Sequence, residues 1–257
     1  MPEALFIPDG GRFIPTVHTR GPWDSRAQHA GPPAALMGRA IEMLPADLPM
    51  RVARFTMEVL RPVPLEPLSV EARVERHGRR VQLASAVLTA GGTELCRAYA
   101  WRIRTAVLDV ALDNAPEQVA APESGEQHLP ESDEPAFHRT GVEMRFVRGS
   151  FWRPGPATAW IRLRYPLIPG EEPSPLTRVL GAADFGNGVS ALLEFGQYLF
   201  INTDLSAYLY RQPDGEWICL DATTRLGPDG IGLAESALYD VRGRIGRSLQ
   251  ALLVDRL

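Results

Sequence analysis

Two polar side chains stand where the surrounding sequence is apolar. Asp184 lies within Ala182-Ala183-Asp184-Phe185-Gly186, and Gln250 lies within Ser248-Leu249-Gln250-Ala251-Leu252-Leu253-Val254. Buried polar groups require partners, and both types can do chemistry. A carboxylate accepts a proton, and an amide holds a water without titrating. The structural alternatives are a helix-start carboxylate favoured by the macrodipole and a strand amide satisfied by its neighbours. Asn202 and Thr203 are adjacent at a strand start. Neighbours on a strand face opposite sides, so only one of them can share a site with Asp184. His29 immediately precedes an apolar helix, where it suits either a substrate channel or a structural role.

The remaining reactive residues narrow the chemistry further. All 27 basic residues are arginine. Without lysine there is no Schiff base, no pyridoxal-phosphate anchor, no Walker-type phosphate loop and no lysine general base. Phosphate recognition falls to arginine, whose guanidinium matches phosphate bidentately, with Arg61, Arg79, Arg80 and Arg211 as candidates. The histidines at 18, 29, 77, 128 and 138 show no metal-ligand spacing, so no metal is expected, and no cofactor. Gly186-Asn187-Gly188 is not a dinucleotide fingerprint, and no Gly-x-Ser-x-Gly elbow occurs. Cys96 and Cys219 are too few for a disulfide framework. With 31 acidic residues the net charge is −4, which argues against a nucleic-acid partner. Met1-Pro2-Glu3-Ala4 has no signal-peptide character, and no apolar run approaches the ~18 residues of a membrane helix. The expected setting is the cytoplasm, with no membrane partner.

These residues need elements to position them. Gly31-Pro32-Pro33 opens an apolar helix over Ala34 to Leu44, closed by Pro45. Strands are expected at Phe55 to Pro62, Leu68 to Arg76, Val81 to Ala90 and Leu95 to Arg104, with turns at His77-Gly78-Arg79-Arg80 and Gly91-Gly92. A helix is expected over Leu176 to Phe195, although Gly181, Gly186 and Gly188 weaken it. Strands follow at Phe200 to Tyr210, Glu216 to Thr224, Gly232 to Asp240 and Ile245 to Val254. Between the halves, residues 105–138 form an acidic, proline-containing connector. It carries Asp109, Asp113, Glu117, Glu123, Glu126, Glu131, Asp133 and Glu134, with Pro116, Pro122, Pro130 and Pro135. It reads as a solvated crossing of the surface. The division is therefore 1–104, 105–138 and 139–257.

A constant offset of 150 lays one half on the other without gaps. It pairs Gly31 with Gly181, Arg61 with Arg211, Leu83 with Leu233 and Arg97 with Arg247. The shared order of helix, strands and turns carries more weight than the identities. The reading is two copies of one α+β unit, each a helix wrapped by a curled antiparallel sheet.

Such tandem units resemble the double hotdog fold, and the motifs resemble the acyl-CoA thioesterase II-like family. The stretches are His29-Ala30-Gly31-Pro32-Pro33-Ala34-Ala35-Leu36, Ala183-Asp184-Phe185-Gly186-Asn187-Gly188 and Phe200-Ile201-Asn202-Thr203-Asp204-Leu205. Gly215-Glu216-Trp217, Gly232-Leu233-Ala234-Glu235-Ser236 and Gly246-Arg247-Ser248-Leu249-Gln250 complete the set.

The resemblance implies hydrolysis of an acyl-CoA thioester in lipid metabolism, by a homo-oligomer. It implies Asp184 as the water-activating carboxylate and Gln250 as an orienting amide. The family's hydroxyl falls on Thr203, or on Asn202 if the alignment follows Asp204-Leu205-Ser206. His29, Gly31, Asn187, Arg61 and Arg211 are the implied substrate-binding residues. The residue types suit the reaction: a placed water, a carboxylate and donors for the oxyanion, to which helix-start amides near Gly31 or Asp184 can contribute. Subtracting 150 from 184, 202, 203 and 250 gives Ala34, Val52, Ala53 and Ala100, so one half is expected to carry the chemistry. A non-catalytic acyl-CoA binding protein is the alternative. A hotdog hydratase fits less well, because Asp184 has no histidine after it in the chain.

Overall fold

The halves differ most where their first strands lie. β1 (Phe6–Asp9) and β2 (Arg12–Pro15) form a short hairpin over Gly10 and Gly11, both at positive φ, a conformation that glycine adopts without strain. α1 (Gly31–Glu42) follows, with prolines in its first turn, and then the meander β3 (Met50–Val59), β4 (Leu68–Arg76), β5 (Val81–Ala90) and β6 (Thr93–Arg104). The computed structural model describes residues 4–109, 117–128, 132 and 134–257. Asp113, Pro116, Pro130, Glu131 and Asp133 of the connector lie outside the described residues. The connector contributes the two-residue strand β7 (Glu126–Gln127), and a single π-helical turn, Phe137–Gly141, leads into the second half. There β8 (Val142–Ser150) and β9 (Arg153–Leu163) form a long hairpin. α2 (Pro175–Ala183) and α3 (Gly186–Val189) come next. The chain ends with β10 (Tyr198–Asn202), β11 (Asp204–Leu209), β12 (Ile218–Leu226), β13 (Ile231–Asp240) and β14 (Gly243–Arg256).

All the described strands join one antiparallel sheet, in the order β1-β2-β4-β5-β6-β3-β11-β14-β13-β12-β9-β8-β7, with β10 also on β14. α1 packs on β3, β4 and β5, and α2 on β9, β11 and β12, so both helices line one face of the sheet. The core lies between them and the inward residues of the strands, among them Phe55, Met57, Leu88, Leu205 and Leu220. This is the α+β double hotdog architecture.

The repeat offset is visible in the strand bounds. β12 and β13 stand 150 residues beyond β4 and β5 at both ends, and β14 begins 150 beyond β6. β3 and β11 join the halves, and within that pair Thr56 faces Ser206, with Ser206 Oγ donating to Thr56 Oγ1 at 3.1 Å. These two residues differ by the repeat offset, so the pseudo-two-fold axis passes between them. Gly31 and Gly181 meet near the same axis. A Cβ on Gly31 would lie 2.7 Å from the Gly181 carbonyl oxygen, so the close approach of α1 to α2 requires glycine there.

Three expectations change. The helix expected over Leu176 to Phe195 is two helices, broken after Ala183, and the glycines at 186 and 188 fall in the four-residue second piece. The strand expected over Phe200 to Tyr210 is interrupted at Thr203. The connector is tied to the second half as well as solvated. Trp160 Nε1 donates to the Ala120 carbonyl at 2.7 Å, while Glu117 receives Arg244 at 2.8 Å and the Tyr239 hydroxyl at 3.2 Å. β1, β2, β7, β8 and β9 are not among the expected strands. The start of β9, Arg153-Pro154-Gly155-Pro156, lacks strand character in sequence because proline and glycine disfavour it.

Candidate active site

Asp184 caps the C-terminal end of α2, at the break before α3. The expected helix-start position is therefore corrected: the second-half helix begins six residues earlier than its counterpart's register, at Pro175, where the Ser174 hydroxyl caps it. Asp184 is 7% exposed and both of its oxygens are engaged. Oδ1 accepts from Asn202 Nδ2 at 2.9 Å and from Gln250 Nε2 at 3.0 Å. Oδ2 lies 2.8 Å from His29 Nδ1. With Asp184 ionised, the proton on that line belongs to Nδ1, and the longer 3.2 Å approach of the Gly31 N–H to the same nitrogen is secondary. Among the described residues His29 Nε2 has no protein partner, and it is not sealed from solvent.

The second amide function of Gln250 closes the back of the site. Its Oε1 accepts the Asn187 N–H at 3.0 Å, and Asn187 Nδ2 donates to the Phe200 carbonyl at 2.7 Å. Gln250 is 1% exposed and stands behind Asp184 rather than on the cavity wall. Gly186 is where this contact is tightest. A Cβ there would meet Ser236 Oγ at 2.8 Å and Gln250 Oε1 at 3.1 Å.

The choice between Asn202 and Thr203 is decided by a register slip. β10 pairs with β14 so that Asn202 faces Leu252, whereas β11 pairs so that Ser206 faces Leu249, one residue out of step. The extra residue at 203–205 is a bulge, and it reverses which positions face inward. In β10 Phe200 is buried and Asn202 reaches Asp184, while in β11 Leu205 and Ala207 turn to the core. Thr203 is exposed at the cavity rim and donates to the Ala251 carbonyl at 3.4 Å. The expectation that Thr203 joins Asp184 is thus corrected in favour of Asn202.

The cavity in front of these residues has a volume of about 450 Å³, within the usual range for small-molecule sites. His29, Asp184 and Asn202 open onto it, and Trp23, Phe151, Phe185, Phe195 and Phe200 form apolar walls. Trp23 stacks on Phe195 at 5.2 Å and meets Phe200 edge-on at 4.8 Å, while Phe151 stacks on Phe195 at 5.8 Å. Arg61 lies on the wall, its Nη1 donating to the Glu94 carbonyl at 2.9 Å. His138, from the π-helical turn, also reaches the cavity. Among the described residues its Nδ1 is buried without a partner, and burial together with neighbouring positive groups pushes its pKa down to about 3.

Two expected substrate-binding residues lie elsewhere. Gly31 is off the cavity wall and serves the contact between helices. Arg211 is held by Asp240, 2.6 Å between Nη2 and Oδ1, and by the Gly243 carbonyl at 2.7 Å, so its guanidinium is already committed. Asn187 lines the cavity, but both its N–H groups given above are spent on Gln250 and Phe200. The aromatic wall and His138 were missed. Phe195, Phe200 and Phe151 come from separate loops and strands, and no spacing in the sequence brings them together.

Counterparts at the repeat offset make the asymmetry plain. Ala34, Val52, Ala100 and Val179 correspond to Asp184, Asn202, Gln250 and His29, and all four are buried members of the hydrophobic core. The second half supplies three members of the polar cluster and the first half supplies His29, while the four positions at the repeat offset are apolar and buried.

The fold is that of a double hotdog protein, with a polar cluster at the wall of one cavity. The chain belongs to the acyl-CoA thioesterase family: the family models for the acyl-CoA thioesterase N-terminal and C-terminal domains match residues 19–103 and 113–254. Solved structures share the fold at low identity. A thioesterase II candidate from Thermobifida fusca YX superposes with a TM-score of 0.78 at 19% identity, over 98% of this chain and 95% of that one. A hot dog protein of unknown function from Alicyclobacillus acidocaldarius gives 0.76 at 15%, over 97% and 95%. The acyl-CoA thioesterase II TesB2 of Mycobacterium marinum gives 0.65 at 15%, over 94% and 96%. No curated protein matches the sequence. Among the described residues no helix is long and apolar enough to cross a membrane.

Proposed function

We propose that the protein hydrolyses acyl-CoA thioesters, and that the contact between His29 and Asp184 at the cavity wall carries the reaction. Both oxygens of Asp184 are engaged by its three donors, whereas His29 Nε2 faces no protein partner among the described residues. In this reading Nε2 accepts a proton from water as the water oxygen bonds to the thioester carbonyl carbon. Asp184 stabilises the imidazolium that forms, and Gln250 and Asn202 hold Asp184. When the C–S bond breaks, the imidazolium returns the proton to the thiolate, leaving a free acid and coenzyme A. Both hydrogens of the Asn202 amide are spent, on Asp184 Oδ1 at 2.9 Å and on the Asp204 carbonyl at 3.0 Å, so Asn202 positions Asp184 and does not donate to the reacting carbonyl. The Gly31 and Asn187 amides expected for that task point to His29 and Gln250 instead. Apolar aromatic walls suit an acyl group, and Arg61 at the rim suits a phosphate of the coenzyme.

An aspartate–histidine pair is also the arrangement expected of a hotdog hydratase, and here tertiary structure supplies the histidine from the opposite half of the chain. Family membership favours hydrolysis. Thiol release from a panel of saturated and 2-enoyl acyl-CoAs separates the readings. Release that depends on Asp184 supports hydrolysis; loss of 2-enoyl absorbance without thiol release supports hydration. Tight binding with neither would make the protein an acyl-CoA binder.

A further inference from the structure

We propose a second ligand site on the outer face of the sheet, one that binds a phosphorylated nucleotide. The basin there has a volume of about 810 Å³ and is lined by Arg54, Arg76, Arg79 and Arg80 around Trp101 and Tyr208, with no carboxylate on its wall. Strand register builds it. Tyr208 on β11 faces Arg54 on β3, Arg54 faces Trp101 on β6, Trp101 faces Leu83 on β5, and Leu83 faces Arg76 on β4. These residues form one row across five strands. Phe55 and Ala100, next in sequence to Arg54 and Trp101, are buried in the core, so the row lies on the face away from the helices. The turn at 77–80 carries Arg79 and Arg80 over the end of this row, held by the Arg104 N–H donating to the Arg80 carbonyl at 2.9 Å.

Four positive charges gather here in a chain whose net charge is −4. Among the described residues none of the four has an ion-pair partner, although seventeen ion pairs satisfy arginines and a histidine elsewhere. Arg54 Nε is in addition buried without any hydrogen-bond partner. A donor sealed from water and left unpaired is costly, and an incoming anion removes that cost. Guanidinium groups take phosphate oxygens bidentately, and the aromatic side chains offer faces on which a planar base can stack.

The repeat supplies an internal control. At the offset of 150, Arg54, Arg76, Arg79, Arg80 and Trp101 correspond to Asp204, Leu226, Asp229, Gly230 and Ala251. If the sheet needed such a surface for folding, both halves would carry it. The site is also separate from the thioester cavity. Arg54 and Leu60, a residue of the cavity wall, are six positions apart, about 20 Å of extended chain, and Arg54 points to the opposite face.

The test is isothermal titration of the full-length protein with ADP and adenosine 3′,5′-bisphosphate, with pyrophosphate and adenosine as separate arms. Saturable binding of a nucleotide, stronger than that of pyrophosphate or adenosine alone, is expected. The Arg79→Ala/Arg80→Ala double variant, altered only in an exposed turn, should weaken it at least tenfold, as should Arg54→Gln, and in an Arg61→Ala background, which removes the phosphate contact proposed for the thioester cavity, the outer face still binds ADP. Absence of saturable binding below millimolar nucleotide overturns the proposal. So does binding lost in Arg61→Ala but kept in the double variant, which would assign the nucleotide to the thioester cavity. Sedimentation provides the last control: a dimer that dissociates in the double variant would make this face a contact between two copies and also overturn it.

Discussion

His29 and Asp184 come from opposite halves of the chain and meet at 2.8 Å between Nδ1 and Oδ2. Because Asn202 and Gln250 occupy the other carboxylate oxygen, Asp184 is held in one orientation, and both members of the pair line the cavity.

Removing either partner should therefore have the same consequence. Asp184→Asn and His29→Gln are each expected to lower kcat for acyl-CoA hydrolysis by about 10²–10⁴-fold. The double variant should be little worse than either single one, as groups that act as a unit are not additive. Additive losses in a thiol-release assay would separate the two residues and refute the dyad.

The register slip at 203 makes a paired prediction. Asn202→Ala removes a donor to Asp184 and should cost about 1.5–3 kcal/mol of transition-state stabilisation, read as kcat/KM. Thr203→Val, at the rim and facing away from Asp184, should change kcat/KM less than about twofold, a surface-substitution effect. The reverse ranking would restore Thr203 to the site.

Gly31 acts on stability rather than on substrate. A Cβ there meets the Gly181 carbonyl oxygen at 2.7 Å, and a backbone oxygen inside two packed helices cannot move aside cheaply. Gly31→Ala should cost about 1–3 kcal/mol in urea unfolding, with an unchanged m-value.

His138 gives a pH dependence of known sign. Its folded pKa, about 3, lies below the ordinary 6.5, so the unfolded chain binds the proton more readily. Stability from this residue is complete above pH 6.5 and is lost as the pH falls from there towards 3, by at most about 1.4 kcal/mol per unit. His138→Phe should flatten that part of the profile. An unaltered slope between pH 6.5 and 4.5 in thermal unfolding would contradict the assignment.

Both cysteines should be silent in the native protein. They are buried free thiols, and burial pushes the pKa of Cys96 up to about 12 and that of Cys219 higher still. A thiol reagent should label neither at pH 8 within the time of a turnover assay, and both once the chain is unfolded. Rapid labelling of the native protein would show that one of them is accessible.

The sequence alone determined the repeat, the order of helix and meander, and the residues that had to be polar in apolar surroundings. Period-two alternation and turn residues are local properties, which is why β4 and β5 fall at their expected bounds and β12 and β13 follow at the offset of 150. Asp184 and Gln250 stood out because a polar group in an apolar segment needs a partner wherever the chain takes it. Which partners they find was decided by tertiary structure. A one-residue bulge is invisible to alternation, yet it turns Asn202 inward and Thr203 outward. Arg61 and Arg211 are equivalent in the repeat, but Asp240 claims one and leaves the other at the cavity rim. His29 lies 155 positions before Asp184, and only the packing of α1 against α2 across the pseudo-two-fold axis brings them within a hydrogen bond. Local sequence fixes the elements and the candidates; long-range packing chooses which of them face one another.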